Sequence, residues 1–186
     1  MNGMLVNLSL FKAGWLASVF SAAASVPFAG TAVIGVAVAV HLLRSGAPRD
    51  ELRLLALAAL IGLVWESLLV SVGLVQYGAS AMLPGTAPYW IVAMWVLFAT
   101  TLNVGMRWLR KNLLLAVLMG AIGGPMSFLA GQKIGAVTFS DPTTALIVIG
   151  LGWAVFLPLL VRFAARNDGP AAAIAELPLP SNERGY

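Results

Sequence analysis

The stretch LLALAALIGLVWESLLV, residues 54–70, decides the fold. Apart from Glu66 and Ser67 it is entirely apolar. A helix that crosses a bilayer needs about 20 consecutive, mostly apolar residues. With its flanking residues the stretch reaches that length, so we predict a membrane-spanning helix over residues 53–75.

The rest of the chain has the same character. Apolar residues make up 60% of its 186 positions and charged residues 10%, whereas a soluble domain is about half apolar and a quarter charged. We therefore predict an all-α, polytopic membrane helix bundle over residues 1–166 and a flexible cytoplasmic tail over 167–186. No segment alternates like a barrel strand, so no strands are expected. The six predicted transmembrane helices cover residues 5–24, 27–43, 53–75, 88–109, 112–131 and 143–165, and the second is the shortest.

The basic residues predict the orientation of this bundle. They follow the second, fourth and sixth segments, and the positive-inside rule places such loops in the cytoplasm. Both termini are then cytoplasmic. The net charge of +4 does not indicate nucleic acid, because the cations lie in short loops and form no basic face. These cations are Arg44, Arg49, Arg53, Arg107, Arg110, Lys111, Arg162 and Arg166.

The chain lacks the residues of most cofactor and metal sites. It has no cysteine, and His41 is its one histidine, so haem, zinc and di-iron centres have no set of ligands. A phosphate loop and a nucleophile elbow are also missing from the sequence. We expect no metal and no cofactor, and we identify no catalytic residue.

Glu66 is the most informative residue, because an ionisable group in mid-membrane costs on the order of 3 kcal/mol. It must face the bundle interior, either as a proton, cation or headgroup site or as a structural hydrogen-bonding or ion-pairing group. Lys12 is the obvious candidate partner, with a depth mismatch of roughly 6 Å. Alternatively, the Lys12 side chain extends to the cytoplasmic headgroups, which is the interpretation we favour.

Gly123, Gly124 and Pro125 predict an interruption of the fifth helix at about the depth of Glu66. Proline removes a backbone hydrogen bond, and the glycines weaken the preceding turn. Transporters bind substrates at such breaks, but a simple kink gives the same pattern. Small residues spaced by about four positions predict close packing of this helix against a neighbour: Ala116, Gly120, Gly124, Gly131 and Gly135.

Several tryptophans fall at mid-membrane depth, away from the headgroup level that tryptophan prefers. They either line a pocket for an unsaturated or aromatic ligand or form plain core. Thr100, Thr101 and Asn103 add polar groups to the fourth helix, where they bind a ligand or join helices. The four central tryptophans are Trp15, Trp65, Trp95 and Trp153.

A set of motifs extends over nearly the whole chain, from about Asn7 to Arg162. It comprises Trp15, Trp65-Glu66, Pro88-Tyr89-Trp90, the run GAIGGPMSF over residues 120–128, Gly131 and Gly135-Ala136. With these motifs the sequence resembles the bacterial domain-of-unknown-function family 2878, a group of small multi-pass inner-membrane proteins. The resemblance implies a place in the bacterial inner membrane. It also implies a link to lipids, since relatives tend to be encoded near lipid-modifying enzymes.

Three functions remain open at this point, of which an intramembrane enzyme that uses Glu66 as acid or base ranks third. The first is the binding or movement of a lipid or other hydrophobic molecule, with membrane lipids as partners. The second is an accessory or scaffolding role for a lipid-modifying enzyme, with a protein partner or a second copy of the chain. The candidate ligand-binding residues are Glu66, Trp65, Gly123, Gly124, Pro125, Ser127, Thr100, Asn103 and Lys12.

Overall fold

The computed structural model describes residues 3–78 and 83–167 of the chain. Its α-helices are α1 (Gly3–Ala23), α2 (Pro27–Arg44), α3 (Pro48–Ser71), α4 (Tyr89–Ala99), α5 (Leu113–Ile134) and α6 (Pro142–Arg166). A 3₁₀ helix, Arg107–Lys111, and two strands, β1 (Val75–Tyr77) and β2 (Val137–Phe139), complete the regular structure of these residues. The all-α prediction is confirmed apart from the strand pair. The predicted tail lies outside the described residues from position 168 onward.

Five of the helices, α1, α2, α3, α5 and α6, are long and apolar enough to cross a membrane. Their outer faces carry large apolar side chains, such as Phe28, 75% exposed, and Leu43, 87% exposed. A continuous apolar exterior is unfavourable in water and suits the hydrocarbon core of a bilayer. The prediction of several helices with the length and apolar composition of membrane spans is thus confirmed for these five.

The fourth predicted helix, residues 88–109, is wrong in its length. The α-helix ends at Ala99, and turns lead from there to the 3₁₀ helix. The Thr100 and Thr101 hydroxyls donate hydrogen bonds of 2.7 Å to the carbonyls of Leu97 and Phe98. Such side chains compete with the α-helical ladder. At 11 residues α4 is too short to span alone, so six full spans are not confirmed.

The expectation of no strands is also wrong. β1 and β2 form a two-stranded antiparallel sheet in which Val75 pairs with Phe139 and Tyr77 with Val137. It joins the loop after α3 to the turn before α6, and its valines are buried. Three residues per strand are too few for a detectable alternation.

An unwound break at Pro125 is not observed, because α5 is α-helical from Leu113 to Ile134, and of the two predicted alternatives the simple kink remains. Proline leaves the carbonyl four residues earlier without its usual donor, and here that carbonyl belongs to Ala121. Gly150 of α6 packs against this place: a Cβ on Gly150 would lie 3.0 Å from the Ala121 oxygen and 3.2 Å from Pro125 Cγ. A close neighbouring helix thus accommodates the proline within a continuous helix.

Two glycines of the core helices pack directly against tryptophan rings. A Cβ on Gly62 of α3 would lie 2.4 Å from the Trp95 ring, and a Cβ on Gly124 of α5 would lie 2.5 Å from the Trp153 ring. The predicted small residues of α5 are buried at Ala116, Gly120, Gly124 and Gly131. Gly120 and Gly124 pack against Trp153 of α6, whereas Gly131 faces Val137 of β2 and Gly135 lies just beyond the end of the helix. This packing fixes the positions of the Trp95 and Trp153 rings.

The two ends of the bundle differ in charge. Asn103 bonds to Glu51 near the start of α3, and Leu109 packs near the end of α6. The segment 89–111 therefore runs the length of the bundle, although only its first half is α-helical. The end of α2, the start of α3, the 3₁₀ helix and the end of α6 meet here, and we call this the arginine-rich end. Its arginines are Arg44, Arg49, Arg53, Arg107, Arg110, Arg162 and Arg166. The opposite end carries the β1–β2 sheet. Among residues 3–78 and 83–167, Lys133 is the one cation that lies at that end.

The start of α6 follows the sequence prediction. Pro142 is its first residue, and the Asp141 carboxyl accepts a hydrogen bond of 3.1 Å from the backbone amide of Thr143. The Thr144 hydroxyl donates a second bond, of 2.5 Å, and lowers the pKa of this carboxyl below its usual value. An N-terminal cap of this kind satisfies amides that have no partner in the helix.

Candidate functional site

Glu66 lies in the C-terminal third of α3 and is completely buried. Both of its carboxyl oxygens are hydrogen-bonded: Trp95 Nε1 donates to Oε1 at 2.8 Å, and the Tyr77 hydroxyl donates to Oε2 at 2.6 Å. Trp95 comes from α4 and Tyr77 from β1, so the carboxyl joins three elements. Buried polar groups are tolerated when they are satisfied in this way.

A cavity of about 520 Å³ lies beside this carboxyl. The volume falls within the range of small-molecule sites, roughly 300–1,000 Å³. Side chains from α1, α3, α4, α5 and α6 line it, and they are mainly aromatic, methionine and glycine residues. The lining residues are Phe11, Lys12, Trp15, Leu16, Glu66, Ile91, Met94, Trp95, Phe98, Met106, Met119, Gly120, Gly123, Gly124, Met126, Ser127, Phe128, Trp153 and Leu157.

The cavity opens sideways between α1 and α5. Its lining residues on these two helices include Leu16, Met119 and Met126, which are exposed on the outer surface. A Cβ placed on Gly123 would meet no atom within 4 Å, so this glycine leaves the opening free. Trp15 Nε1 donates a hydrogen bond of 3.2 Å to Ser127 Oγ across the gap between the helices. The opening therefore faces the apolar exterior.

Stacked aromatic rings form the inner wall. Trp95 and Trp153 stack with ring centroids 4.5 Å apart and planes 20° apart, and Phe98 meets Trp153 edge to face at 5.1 Å. Of the four central tryptophans, Trp15, Trp95 and Trp153 line the cavity. Trp65 instead packs against Phe156 at 5.0 Å, behind the wall. Three of the tryptophans thus line a cavity and Trp65 belongs to the core, while a ligand in the cavity stays a prediction.

The predicted site residues separate into two places. Lys12, Glu66, Gly123, Gly124 and Ser127 line the cavity, whereas Trp65 and Pro125 are absent from its lining and Thr100 and Asn103 lie at the arginine-rich end. The Lys12–Glu66 ion pair does not form in the structure. The carboxyl takes its hydrogen bonds from Tyr77 and Trp95 instead.

A buried polar cluster at the arginine-rich end escaped the sequence analysis. His41 Nε2 lies 3.0 Å from Glu51 Oε2, and Asn103 Nδ2 donates to Glu51 Oε1 at 2.8 Å. Arg110 donates in turn to Asn103 Oδ1. The available signal was the proximity of His41 and Glu51 to the short α2–α3 turn. Asn103 therefore joins helices, which is one of its two predicted roles.

The cluster borders a second cavity of about 310 Å³. Asn7 lies beside it and donates a hydrogen bond of 3.0 Å to the Thr100 carbonyl. No three His, Asp or Glu side chains of the described residues are placed to hold a metal ion. Polar contacts between helices thus dominate this end, in contrast to the apolar cavity around Glu66.

Several apolar helices of membrane-spanning length around an aromatic cavity indicate a multi-pass membrane protein. A family model described as "Protein of unknown function (DUF2878)" matches residues 4–159. The chain belongs to this family, which confirms the resemblance noted from its motifs. Neither a curated protein nor a solved structure matches the chain.

Proposed function

We propose that this protein binds a lipid or another hydrophobic molecule that enters from the bilayer between α1 and α5. The observation that carries the proposal is the cavity of about 520 Å³ with Glu66 in its wall. Apolar pockets with a few fixed polar groups are the usual form of small-molecule sites. The cavity is larger than the second one, of about 310 Å³, at the arginine-rich end.

The side opening supports entry from lipid. Met119, Gly123 and Met126 of α5 and Leu16 of α1 are exposed at its edge, and these helices present apolar faces to the surroundings. A hydrophobic molecule then moves between two apolar environments and crosses no aqueous layer. Methionine side chains are flexible and polarizable, which lets such a site adapt to an irregular ligand.

Glu66 supplies the fixed polar group of the inner wall. Its two donors, Trp95 and Tyr77, come from different elements and hold the carboxyl in one position. A polar group fixed in this way orients a ligand in an otherwise featureless apolar pocket. We assign Glu66 this orienting role and the tryptophan stack the main contact with the apolar part of the ligand.

The arginine-rich end supports a cytoplasmic placement of both termini, according to the positive-inside rule. We include this orientation, and residence in the bacterial inner membrane, in the proposal. Movement of the ligand between leaflets or to another protein would be a separate step after binding.

The accessory-subunit alternative loses its main support. Small-residue helix faces were one reason for this alternative, but Gly120 and Gly124 of α5 pack against Trp153 within the chain. A Cβ on Gly120 would lie 2.1 Å from the Trp153 carbonyl oxygen. A protein partner remains a prediction from the sequence, and no contact of the described residues favours it over ligand binding.

Tryptophan fluorescence gives a direct test, because Trp15, Trp95 and Trp153 line the cavity. Dibromostearic acid or its methyl ester is titrated into the purified protein in detergent, where bromine quenches nearby indoles. We expect a saturable quenching component that unlabelled oleic acid displaces. The variant Gly123→Leu should lack this component, since its side chain would occupy the opening.

Gly35→Leu on α2 is the matched control. Gly35 is also an exposed helical glycine with no atom within 4 Å of an added Cβ, but it lies outside the cavity lining. Its quenching should equal that of the unaltered protein. Equal saturable quenching in Gly123→Leu, or no saturable quenching in the unaltered protein, would exclude the cavity as the binding site.

A further inference from the structure

Lys12 lies close to the midpoint of α1, which runs from Gly3 to Ala23. Nine residues separate it from Gly3, which corresponds to about 14 Å along the helix axis. This distance exceeds the reach of a lysine side chain, so the ammonium group does not reach the end of α1. We therefore replace the expectation that the Lys12 side chain extends to the cytoplasmic headgroups. The side chain is exposed and belongs to the cavity lining.

Lys12 has no acidic partner among the residues that the structure describes. The ion pairs there join His41 to Glu51 and Arg53 to Asp50. Glu66 is the one carboxyl in the cavity lining, and it bonds to Tyr77 and Trp95. Lys12 is therefore an exposed cation of the cavity lining with no carboxylate partner among the described residues.

A cation at membrane depth is costly unless it finds a counter-charge. The neighbours of Lys12 in the lining, Phe11, Leu16, Met119 and Met126, offer none. The opening thus carries a positive charge with no carboxylate partner among the described residues, whereas the interior beyond it is apolar and aromatic. This combination is complementary to an amphiphile with a negative head and an apolar tail.

We infer that the ligand of the cavity is a fatty-acid-like amphiphile, with its carboxylate at Lys12 and its chain against the Trp95–Trp153 stack. A single lysine complements a monoanionic carboxylate, while phosphate sites usually gather arginines or the amides of a helix N-terminus. Neither lies in the lining of this cavity. The inference rests on the proposed function and names the substrate class of the same site.

The test compares two probes that differ only in charge, dibromostearic acid and its methyl ester, in the same quenching assay. The acid should bind the unaltered protein about tenfold tighter than the ester, which corresponds to about 1.4 kcal/mol. Lys12→Met should bind both probes with the affinity of the ester. Lys12→Arg should keep the preference, because it keeps the positive charge.

Lys133→Met is the matched control, since it removes one exposed cation that is absent from the cavity lining. It should preserve the preference for the acid. A loss of preference in Lys133→Met as great as in Lys12→Met would overturn the inference, because a general charge effect would then explain it.

The other outcomes separate the inference from the proposed function. If both probes bind equally and Gly123→Leu abolishes binding of both, the cavity binds hydrophobic molecules and the carboxylate assignment is wrong. Tighter binding of a brominated phosphatidylcholine than of the acid would replace the fatty acid with a two-chain lipid. If Gly123→Leu changes neither probe, the proposed function fails and the inference fails with it.

Discussion

Trp95 of α4 donates its indole hydrogen to Glu66 of α3, with 2.8 Å between Nε1 and Oε1. The same indole stacks on Trp153 of α6 at the cavity wall. One side chain thus links the buried carboxyl to the cavity wall that we propose as the ligand contact. Changes at Glu66 should therefore affect both the stability of the bundle and the shape of its cavity.

The Tyr77–Glu66 hydrogen bond should contribute measurably to stability. Tyr77→Phe leaves Glu66 Oε2 buried without its donor, so we expect the free energy of unfolding to fall by about 1–3 kcal/mol. Thermal or denaturant unfolding in detergent measures this change. In the Glu66→Leu background the same substitution should cost much less, because no carboxyl remains to be satisfied. Equal losses in the two backgrounds would mean that the bond contributes nothing.

The contact between α5 and α6 should tolerate no side chain at Gly120. A Cβ there would lie 2.1 Å from the Trp153 carbonyl oxygen, and relieving this overlap requires a shift of backbone. We expect Gly120→Ala to destabilise the protein by about 1–3 kcal/mol. Gly123→Ala, three residues along the same helix, has open space and should be neutral or stabilising by up to about 1 kcal/mol. The reverse order in an unfolding experiment would contradict this packing.

The polar cluster at the arginine-rich end should be more important for stability than the exposed ion pair beside it. Glu51→Ala removes an acceptor shared by His41 and Asn103 and should cost about 1–3 kcal/mol. Asp50→Ala removes only the exposed contact with Arg53 and should cost less than about 1 kcal/mol. Unfolding measurements on the two variants compare them directly, and similar losses would argue against a structural role for the cluster.

The proposed orientation can be tested with single cysteines, because the chain has none of its own. Ala24→Cys lies in the exposed α1–α2 turn and Gly46→Cys in the exposed α2–α3 turn. A membrane-impermeant maleimide applied to intact cells should label the first and reach the second only after lysis. Labelling in the opposite order would invert the topology.

Much of the fold follows from the apolar runs and from the residues that mark their ends. The bounds of α2, α5 and α6 agree closely with the prediction because proline, glycine and capping residues mark their ends. The short α4 was not predictable in this way. Its end depends on the hydroxyls of Thr100 and Thr101, and threonine in an apolar run is equally compatible with a continuing helix.

The sequence predicted the central residue of the candidate site, Glu66, but not the residues that donate hydrogen bonds to it. Glu66 was identified because an isolated carboxyl in an apolar segment is costly. Its donor Tyr77 lies in a three-residue strand that pairs with residues far along the chain, and local patterns contain no information about such a contact. The same reason applies to Glu51 and Asn103, which are 52 positions apart.

Photocrosslinking tests the central claim, the occupation of the cavity by a hydrophobic ligand, most directly. A diazirine-bearing stearic acid is activated on the protein in membranes, and the modified residues are mapped by mass spectrometry. The account predicts adducts concentrated on Met119, Met126 and Trp153 of the cavity lining, and their loss in Gly123→Leu. Adducts spread evenly over outward-facing residues such as Val36 and Leu43, unchanged in that variant, would contradict it.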